Sequence, residues 1–550
     1  AAMSGKMKMQ GMMGSGLPGL LKDGYQHFSG LEEAILKNVE ACKDLADITR
    51  TSLGPNGMNK LVINHLEKLF VTSDAATITT ELEVAHPAAK MLTMAAKMQE
   101  TEVGDGTNFV VTFGGELLHQ ARELLRMGVH PSEIVSGYEA STKKAYELLE
   151  AACCKEVGDV KSVDDLVVPL RSVLAAKLWG HEDLLAPLVA QACIQAMPPS
   201  RAALNVDNVR VAKLIGATIG DSQVINGVVV LRDTHGTVKH VENARIAVYG
   251  GAVEASETET KANVVLSDAD ELMSYTKGEE KMMEDTIKGI ADAGVNVIVS
   301  GGAISEIAQH YIDKFNILSI KVLSKFELRR LCRSVGATAC ARLGPPMEEE
   351  MGTAASVSVQ ELSSRRVTVF KQAEDAESGG ISTIVLRGST MNLLDDIERA
   401  ITDGVNTVKS LCTDKRMVAG AGAVEMELAL RLHEFGDASP GMAQYAINKY
   451  AESFEVFART LAENAGQTAA DTISALYAAH SAGKAGAGVD IEATEGVLDA
   501  EEAGVFDTYL VKKEALRLAS DAALTVLRVD QIIMSKQAGG PKPRGPGAPD

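Results

Sequence analysis

The sequence predicts a multidomain protein in which mainly helical parts flank an α/β part. With 550 residues, the chain exceeds the about 250–300 residues at which a single hydrophobic core stops growing. Helical periodicity dominates residues 31–150 and the chain after Asp395, whereas valine-rich strands alternate with helices from about Val209. This order indicates that the two helical ends form one domain into which the centre is inserted.

The composition of the chain excludes several classes of function. The net charge is −20 and 46% of the residues are hydrophobic, so the chain is globular and acidic. Such a charge disfavours nucleic acid and anionic membranes as partners. No apolar run approaches the ~20 residues of a membrane span, and the seven cysteines are scattered without a CxxC motif. We therefore expect a reduced, cytoplasmic protein with no nucleic-acid or membrane partner.

The first helical part opens with a long amphipathic helix. Apolar residues recur at helical spacing from Leu31 to Leu45, and Gly54-Pro55 predicts a stop after it. The two short apolar runs that follow, Lys60–Ile63 and Leu69–Thr72, predict a β-hairpin. Start signals then predict three helices, which begin at Pro87, Thr107 and Pro131.

The central and C-terminal parts contain the strands and the remaining helices. The predicted strands are Val228–Leu231, Ile246–Tyr249, Val295–Ser300 and Ile381–Leu386. The predicted helices are Ile304–Phe315, Phe326–Val335, Ala443–Ala465 and Lys512–Met534. The Gly- and Met-rich first residues and the Pro-Gly-rich tail from Ala538 are predicted to be flexible.

Chemistry is most strongly indicated at Gly104–Asn108, the turn GDGTN that opens a helix. Free amides at a helix N-terminus attract phosphate, and the flanking glycines let the backbone approach it closely. A carboxylate among them can hold Mg²⁺, which bridges to phosphate oxygens. Asp105 or Thr107 could instead simply cap the helix. Because a cap does not require glycine on both sides, we favour a phosphate site.

Four other features are weaker indications of a functional site when each is taken alone. Leu53–Gly57 stops a helix, Ser73–Thr77 has an ordinary capping sequence, and Gly420–Ala423 precedes a helix. Asp403 lies in an amphipathic pattern, where such a residue is usually solvated. The P-loop, GxSxG and HExxH motifs are absent, and the GxGxxG match at Gly14–Gly19 follows no strand. These features argue against a P-loop NTPase, a dinucleotide-binding fold and Ser/His/Asp catalysis.

Taken in order, these segments resemble the group II chaperonin family. The match runs from about Leu31 to Met534 through TSLGPNGMNK, TSDAATI, GDGTN, GSTMNLLDDIERAITDG, AGAGAVEMEL, LAENAG and LRVDQII. The resemblance implies an ATPase, with ATP/ADP and Mg²⁺ as cofactors. It would bind and enclose unfolded or newly made proteins, such as actin and tubulin, in a double-ring chamber whose lid closes on ATP hydrolysis. The implied partners are seven paralogous subunits in two rings of eight, unfolded clients and co-chaperones such as prefoldin.

The resemblance also implies three domains. An equatorial ATPase domain would comprise residues 1–152 and 409–550, an intermediate domain residues 153–221 and 377–408, and an apical substrate-binding domain residues 222–376. A lid protrusion would span about residues 252–281. The predicted helices Ile304–Phe315 and Phe326–Val335 would border the client groove. Their many polar positions predict polar and electrostatic client contacts in addition to apolar ones, although ordinary solvated faces would show the same pattern.

Residue roles carry over one by one from the family's motifs. Asp105 would ligate Mg²⁺, Asp403 would orient or deprotonate the attacking water, and Asp74 would assist it. Lys177 would sense the γ-phosphate, and Asp507 would lie near the sugar. The other positions would contact the nucleotide, with the last two against the ribose and base: Leu53, Gly54, Gly106, Thr107, Asn108, Phe109, Ala175, Ala176, Ala421 and Gly422.

Five positions depart from the family's usual motifs: Ala75, Asn108, Gly404, Ala421 and Gln531. Ala421 replaces the central glycine of GGG, which adds a β-carbon at the nucleotide wall and disfavours positive φ. Because Asp74, Asp105 and Asp403 are retained, we expect hydrolysis with slow turnover or altered nucleotide affinity. Two alternatives stay open: a structural ring subunit that holds nucleotide with little hydrolysis, and an archaeal-type homo-oligomer.

Overall fold

The computed structural model describes residues 26–29, 31–198, 203–254, 269–362, 365–372, 380–493 and 496–534. The opening segment with its GxGxxG match and the Pro-Gly-rich tail lie outside the described residues, as do residues 255–268 of the predicted lid protrusion.

The N-terminal stretch is mainly helical and leads into a short α/β segment. Its elements are β1 (Gln26–Ser29), α1 (Leu31–Arg50), β2 (Lys60–Ile63), β3 (Leu69–Thr72), α2 (Ala75–Glu81), α3 (Pro87–Glu102), α4 (Thr107–Arg126), α5 (Pro131–Ala151), β4 (Cys153–Glu156), α6 (Val163–Ala175), α7 (Glu182–Ala196) and β5 (Val209–Ile215).

The central stretch alternates strands and helices. Its elements are β6 (Gln223–Val230), β7 (His240–Tyr249), α8 (Ala269–Asp292), β8 (Val297–Ser300), α9 (Glu306–Lys314), β9 (Leu318–Lys321), α10 (Lys325–Val335), β10 (Ala339–Cys340), β11 (Gly352–Leu362), β12 (Arg365–Lys371) and β13 (Ser382–Gly388).

The C-terminal stretch returns to helices. Its elements are α11 (Met391–Thr413), β14 (Arg416–Ala419), α12 (Ala423–Ala438), α13 (Ala443–Glu452), α14 (Glu455–Asn464), α15 (Ala469–Ser481), β15 (Ala487–Val489), β16 (Val497–Asp499), β17 (Phe506–Thr508), α16 (Tyr509–Leu527) and β18 (Gln531–Met534).

One hydrophobic core joins helices from the two ends of the chain. The central helix of this core is α4, which packs against both α1 and α16. Phe113 of α4 is fully buried and contacts the rings of Tyr450 and Phe454. A second core is formed by α6, α7 and α11 against β13. The cavity described below lies where these two cores meet.

A sheet of nine strands extends from the second core through the centre of the chain. Its order is β5-β13-β6-β12-β11-β7-β8-β9, and β10 also pairs with β7. Strands β7, β8 and β9 run parallel, with α8, α9 and α10 connecting or following them. The residue boundaries of the three domains stay a prediction.

Most of the predicted elements are found, including the hairpin β2–β3 at the predicted residues. Two predictions were wrong. The segment Ala443–Ala465 forms two helices, α13 and α14, that are separated at Ser453-Phe454. The last predicted helix ends at Leu527, and Gln531–Met534 is a strand that pairs antiparallel with β1. The β-branched pair Ile532-Ile533 favours this strand, and its partner comes from the opposite end of the chain.

Candidate nucleotide site

A cavity of about 540 Å³ lies between the helical core and the end of α6. Its walls come from the turns after α1 and before α2, from the starts of α4, α12 and α16, and from the β15–β16 hairpin. Fourteen of the fifteen predicted site residues line it: Leu53, Gly54, Asp74, Asp105, Gly106, Thr107, Asn108, Phe109, Ala175, Ala176, Lys177, Ala421, Gly422 and Asp507. Asp403 is the exception, and it lies behind Lys177.

Two helices begin at this cavity with a glycine in the left-handed conformation. Gly106 caps α4 with φ 79°, and Gly422 caps α12 with φ 80°. Neither cap uses a side-chain hydrogen bond. The first amides of α4 therefore stay available, whereas the first amide of α12, that of Ala423, donates to the Gly420 carbonyl at 3.0 Å. The positive end of each helix dipole therefore faces the cavity, which favours an anion such as phosphate.

The GDGTN turn is held rigidly between α3 and α16. The buried Gln99 donates through Nε2 to the Asp105 carbonyl at 2.8 Å and to the Val511 carbonyl at 3.4 Å. The Gly106 amide donates to Asp105 Oδ1 at 2.7 Å. Gly104 has φ 90°, and a β-carbon there would overlap the Asn406 amide. The spacing of the glycines thus has a packing explanation in addition to the predicted access to phosphate.

Asp74 combines a structural role with exposure to the cavity. As the N-cap of α2 it accepts, at Oδ2, from the Thr77 amide at 3.1 Å and the Thr77 hydroxyl at 2.7 Å. Its Oδ1 accepts from Thr107 at 3.4 Å. The contacts of Asp74 are therefore compatible both with capping of α2 and with a role in the cavity.

Lys177 brings together carboxylates from two distant helices. Its ammonium is 3.3 Å from Asp74 Oδ1 and contacts Asp403 Oδ2. Asp403 lies inside α11 and is buried rather than solvated. The structure thus assembles Asp74, Lys177 and Asp403 into one charged cluster, although 329 residues separate the first from the last in sequence.

Burial and the neighbouring charges together set the pKa values of this cluster and of Asp105. Burial raises the pKa of Asp74, but the Lys177 ammonium and the Thr77 hydrogen bonds outweigh it and lower that pKa to about 2. Burial raises the pKa of Asp403 to about 8, because Lys177 only partly offsets it. Burial likewise raises the pKa of Asp105. Burial lowers the pKa of Lys177, yet the surrounding carboxylates outweigh this and raise it, so Lys177 stays an ammonium.

The wall of the cavity next to α12 contains a strained residue. Ala421 has φ 54°, a conformation that alanine rarely adopts. Its carbonyl accepts from the Val489 amide at 2.8 Å, which docks β15 on this wall. A β-carbon at Gly488 would lie 2.8 Å from the Ala421 β-carbon. Glycine at position 488 therefore makes room for the alanine at position 421.

Two other departures from the family motifs have a packing explanation. The Asn108 amide donates to the Thr49 carbonyl at 3.3 Å and to the Ser52 hydroxyl at 3.2 Å, which ties α4 to the end of α1. A β-carbon at Gly404 would lie 3.2 Å from a Leu170 methyl, so glycine lets α11 approach α6 closely. Gln531 is the first residue of β18, where it pairs with Ser29 of β1.

The donor set fits a magnesium-bound nucleotide. Six carboxylates line the cavity, against the ammonium groups of Lys177 and Lys512: those of Asp74, Asp105, Glu425, Asp490, Glu492 and Asp507. This excess of negative charge opposes a bare triphosphate and favours one that arrives with a divalent cation. Carboxylate oxygen is a ligand that Mg²⁺ prefers, and Asp105 presents it beside the free amides of α4.

Sequence reasoning missed several residues around the cavity. Gln99, Glu425, Phe457, Leu461 and Lys512 either hold its loops or line it. The helical pattern around each of them does not indicate a functional residue. For Glu425 and Leu461 the available signal was their position in the motifs AGAGAVEMEL and LAENAG. Within the described part of the chain, no helix combines the length and apolarity that a membrane span needs.

The chain belongs to the TCP-1/cpn60 chaperonin family, whose model matches residues 45–537. This finding confirms the resemblance on which the residue roles rest, and a multidomain α and α/β chaperonin architecture is consistent with the observed elements. Membership also implies nucleotide binding.

Within the family, the chain is similar to proteins named T-complex protein 1 subunit theta. It is 54% identical to the human protein over 529 residues, which cover 96% of each chain. The protein of Arabidopsis thaliana is 51% identical over 530 residues, again 96% of each chain. That of Dictyostelium discoideum is 50% identical over 537 residues, 97% of this chain and 99% of its own. These identities confirm a resemblance to the theta subunit of the eukaryotic cytosolic chaperonin, TRiC, which the stretches NHLEKLFVTSDAATI, EVGDGTNFV and VLRVDQIIM also indicate.

Proposed function

We propose that this chaperonin is an ATP-hydrolysing subunit whose cavity binds MgATP and uses it to drive the enclosure of unfolded proteins. The observation that carries the proposal is the convergence of distant segments on one cavity. The N-termini of α4 and α12 line it together with Asp74, Asp105 and Lys177, and Asp403 lies directly behind the lysine.

The chemistry of phosphoryl transfer matches these groups, because it depends on neutralising charge and positioning water. The first amides of α4 would donate to phosphate oxygens. Asp105 would hold Mg²⁺, which when bound neutralises charge on the phosphates. Asp403 would orient or deprotonate the attacking water with the help of Asp74, and Lys177 would contact the γ-phosphate.

The positions of these residues also explain how hydrolysis would depend on domain closure. Asp74 and Asp105 lie on the helical core, whereas Lys177 follows α6 and Asp403 lies on α11, both in the second core. Lys177 occupies the space between Asp403 and the cavity. Asp403 would therefore reach a water molecule only after Lys177 turns towards phosphate and the two cores approach, which makes hydrolysis conditional on closure.

Two exposed surfaces support an assembled, client-binding protein. The β2–β3 hairpin exposes Leu61, Ile63, Leu66 and Leu69, each by 60% or more, which favours burial against another subunit. We propose that this hairpin contacts paralogous subunits in a cytoplasmic double ring of eight subunits per ring.

The second surface is on α10, where Phe326 is 72% exposed among basic residues. This surface supports apolar and electrostatic contacts with client proteins, which co-chaperones such as prefoldin would deliver.

The test is Asp403→Asn in the assembled ring. Removal of a general base lowers the rate by about 10²–10⁴-fold, so we expect hydrolysis at this subunit's own site to fall at least about 100-fold while its MgATP affinity stays within about threefold. The assembled ring, whose paralogous subunits are unchanged, should lose only this subunit's share of its turnover. Asp395→Asn, on the same helix but paired with Lys213, is the control and should keep normal turnover. Normal turnover in Asp403→Asn would contradict the catalytic role. Unchanged client folding despite lost turnover would favour the structural-subunit alternative.

A further inference from the structure

A second and much smaller cavity lies behind the charged cluster. It has a volume of about 20 Å³ and is enclosed by the base of the β2–β3 hairpin, the turn that follows α6 and the first half of α11. Ser73, Asp74 and Lys177 line both this cavity and the large one. These three residues therefore form a partition between the small cavity and the space in which the nucleotide would bind.

The size and the lining of the small cavity suit a single water molecule. A protein cavity needs about 10–15 Å³ or more, and roughly two to four polar partners, to hold one water molecule. Of the eight described residues that line the small cavity, seven are polar or charged, and the eighth is Leu178. The cavity therefore meets both conditions, whereas its volume leaves no room for a phosphate ion.

The charges in the lining favour a neutral occupant. Asp396 accepts a hydrogen bond from Arg399 at 2.7 Å, and Asp74 Oδ1 is 3.3 Å from the Lys177 ammonium. Two carboxylates thus face two cationic groups, so the lining attracts neither an anion nor a cation strongly. A water molecule can donate to a carboxylate and accept from a cationic group at the same time.

The small cavity is also close to the groups that would act on the attacking water. Asp396, Arg399 and Asp403 follow one another at spacings of three and four residues in α11, so they lie on one face of this helix. Lys177 contacts Asp403 and is part of the partition. The turn of Lys177 towards phosphate, which would free Asp403, would therefore also connect the small cavity with the terminal phosphate.

We propose that the small cavity stores and supplies the water molecule that attacks the terminal phosphate, and that Lys177 is its gate. This inference rests on the proposed function. Once nucleotide fills the large cavity and the two cores approach, solvent is excluded from that side, so the water would come from behind the partition. Asn59 lines the small cavity and is exposed, which allows the cavity to refill from solvent.

The stored water is the nucleophile of the proposed hydrolysis. Its oxygen would form a bond to the terminal phosphorus while the bond from that phosphorus to the ADP oxygen breaks. One of its protons would pass to Asp403, and the other would stay on the phosphate product. Asp74, which lines both cavities, would orient the water during its passage.

An electron cryo-microscopy map of the assembled ring with MgADP tests the storage of water directly. We expect an ordered water molecule in the small cavity, within hydrogen-bond distance of Asp74 or Arg399. Asn59→Phe and Leu178→Phe each place an aromatic ring on a wall of this cavity, so both variants should lose the water and keep the nucleotide. Met58→Phe is the matched control, since Met58 is 68% exposed and lies outside both linings, and it should keep the water.

The rate of hydrolysis at this subunit's own site tests the supply of water. Rings mixed with MgATP and frozen after increasing times show, in the density of this site, how long the terminal phosphate persists. Misplacing a reactant lowers a rate by up to roughly 10²-fold. We therefore expect the terminal phosphate to persist at least about tenfold longer in Asn59→Phe and Leu178→Phe than in the wild type or Met58→Phe.

The outcomes distinguish this inference from the proposed function. A wild-type map with nucleotide in the large cavity but no water in the small one would overturn the inference. Hydrolysis at the wild-type rate in a variant whose aromatic ring fills the small cavity would overturn it as well. A map without nucleotide in the large cavity would instead refute the proposed function itself.

Discussion

Substituting Ala421 with glycine tests the backbone strain at the nucleotide wall. At φ 54°, Ala421 adopts a left-handed conformation that costs a residue with a β-carbon about 1–2 kcal/mol. Glycine removes this cost but adds about 0.5–1 kcal/mol because its unfolded chain is freer. The free energy of unfolding of Ala421→Gly should therefore be unchanged or raised by up to about 1 kcal/mol.

The same substitution two residues later should have the opposite effect. Ala423 is the first residue of α12 and is fully buried. Glycine there costs about 1 kcal/mol in helix propensity, and the loss of the buried methyl group costs about 0.8 kcal/mol. Ala423→Gly should thus be about 2–3 kcal/mol less stable than Ala421→Gly.

Urea unfolding, followed by far-UV circular dichroism, compares the two variants directly. Ala421→Gly should unfold at the wild-type urea concentration or slightly above it, and Ala423→Gly clearly below it. Equal destabilisation by the two substitutions would refute the reasoning, because it would mean that Ala421 carries no strain that glycine can relieve.

Three further predictions concern the residues around the cavity. Gly104→Ala should lower the free energy of unfolding by about 2–4 kcal/mol, because the new β-carbon would overlap Asn406. The control is Gly128→Ala, where φ is also positive at 88° but no atom lies within 4 Å of the new β-carbon, and it should lower the free energy of unfolding by only about 1 kcal/mol. Equal losses in the two variants would contradict the packing argument. Burial raises the pKa of Asp403 to about 8, whereas an aspartate in the unfolded chain has a pKa of about 4. Between these two pH values the folded protein holds a proton that the unfolded chain has released. The free energy of unfolding of the wild-type protein therefore falls as the pH rises through this range. Urea unfolding at about pH 5.5 and about pH 7.5 should therefore show the stability of Asp403→Asn rising relative to wild type by up to about 1.4 kcal/mol per pH unit, whereas a difference independent of pH would show that Asp403 is ionised throughout. Asn108→Ala removes the hydrogen bonds to the end of α1 and should lower the free energy of unfolding by about 1–2 kcal/mol; wild-type stability would show that they contribute nothing.

Local signals made part of the fold and site predictable. Gly54-Pro55 marks the end of α1, Pro87 and Pro131 mark helix starts, and GDGTN combines a helix start with glycines that bring the backbone close to a ligand. These signals act over a few residues, so they survive without knowledge of the rest of the chain. They located the strongest part of the candidate site.

Contacts between distant segments were not predictable from such signals. The strand Gln531–Met534 depends on β1 as its partner, and the period of the preceding helix gave no sign of that pairing. Lys512 and Glu425 lie 87 residues apart in ordinary helical patterns. The roles of Asp403 and Lys177 came only from the family resemblance, because an isolated charged residue on a helix is usually solvated. Long-range packing determines all of these positions.

The most direct test of the central claim is an electron cryo-microscopy map of the assembled protein with MgADP and beryllium fluoride, which imitates the terminal phosphate. The account predicts the metal at Asp105, the phosphates against the first amides of α4, and Lys177 turned from Asp403 towards the fluoride. A map with the nucleotide outside this cavity, or with Lys177 still paired with Asp403 while the cavity is filled, would contradict it.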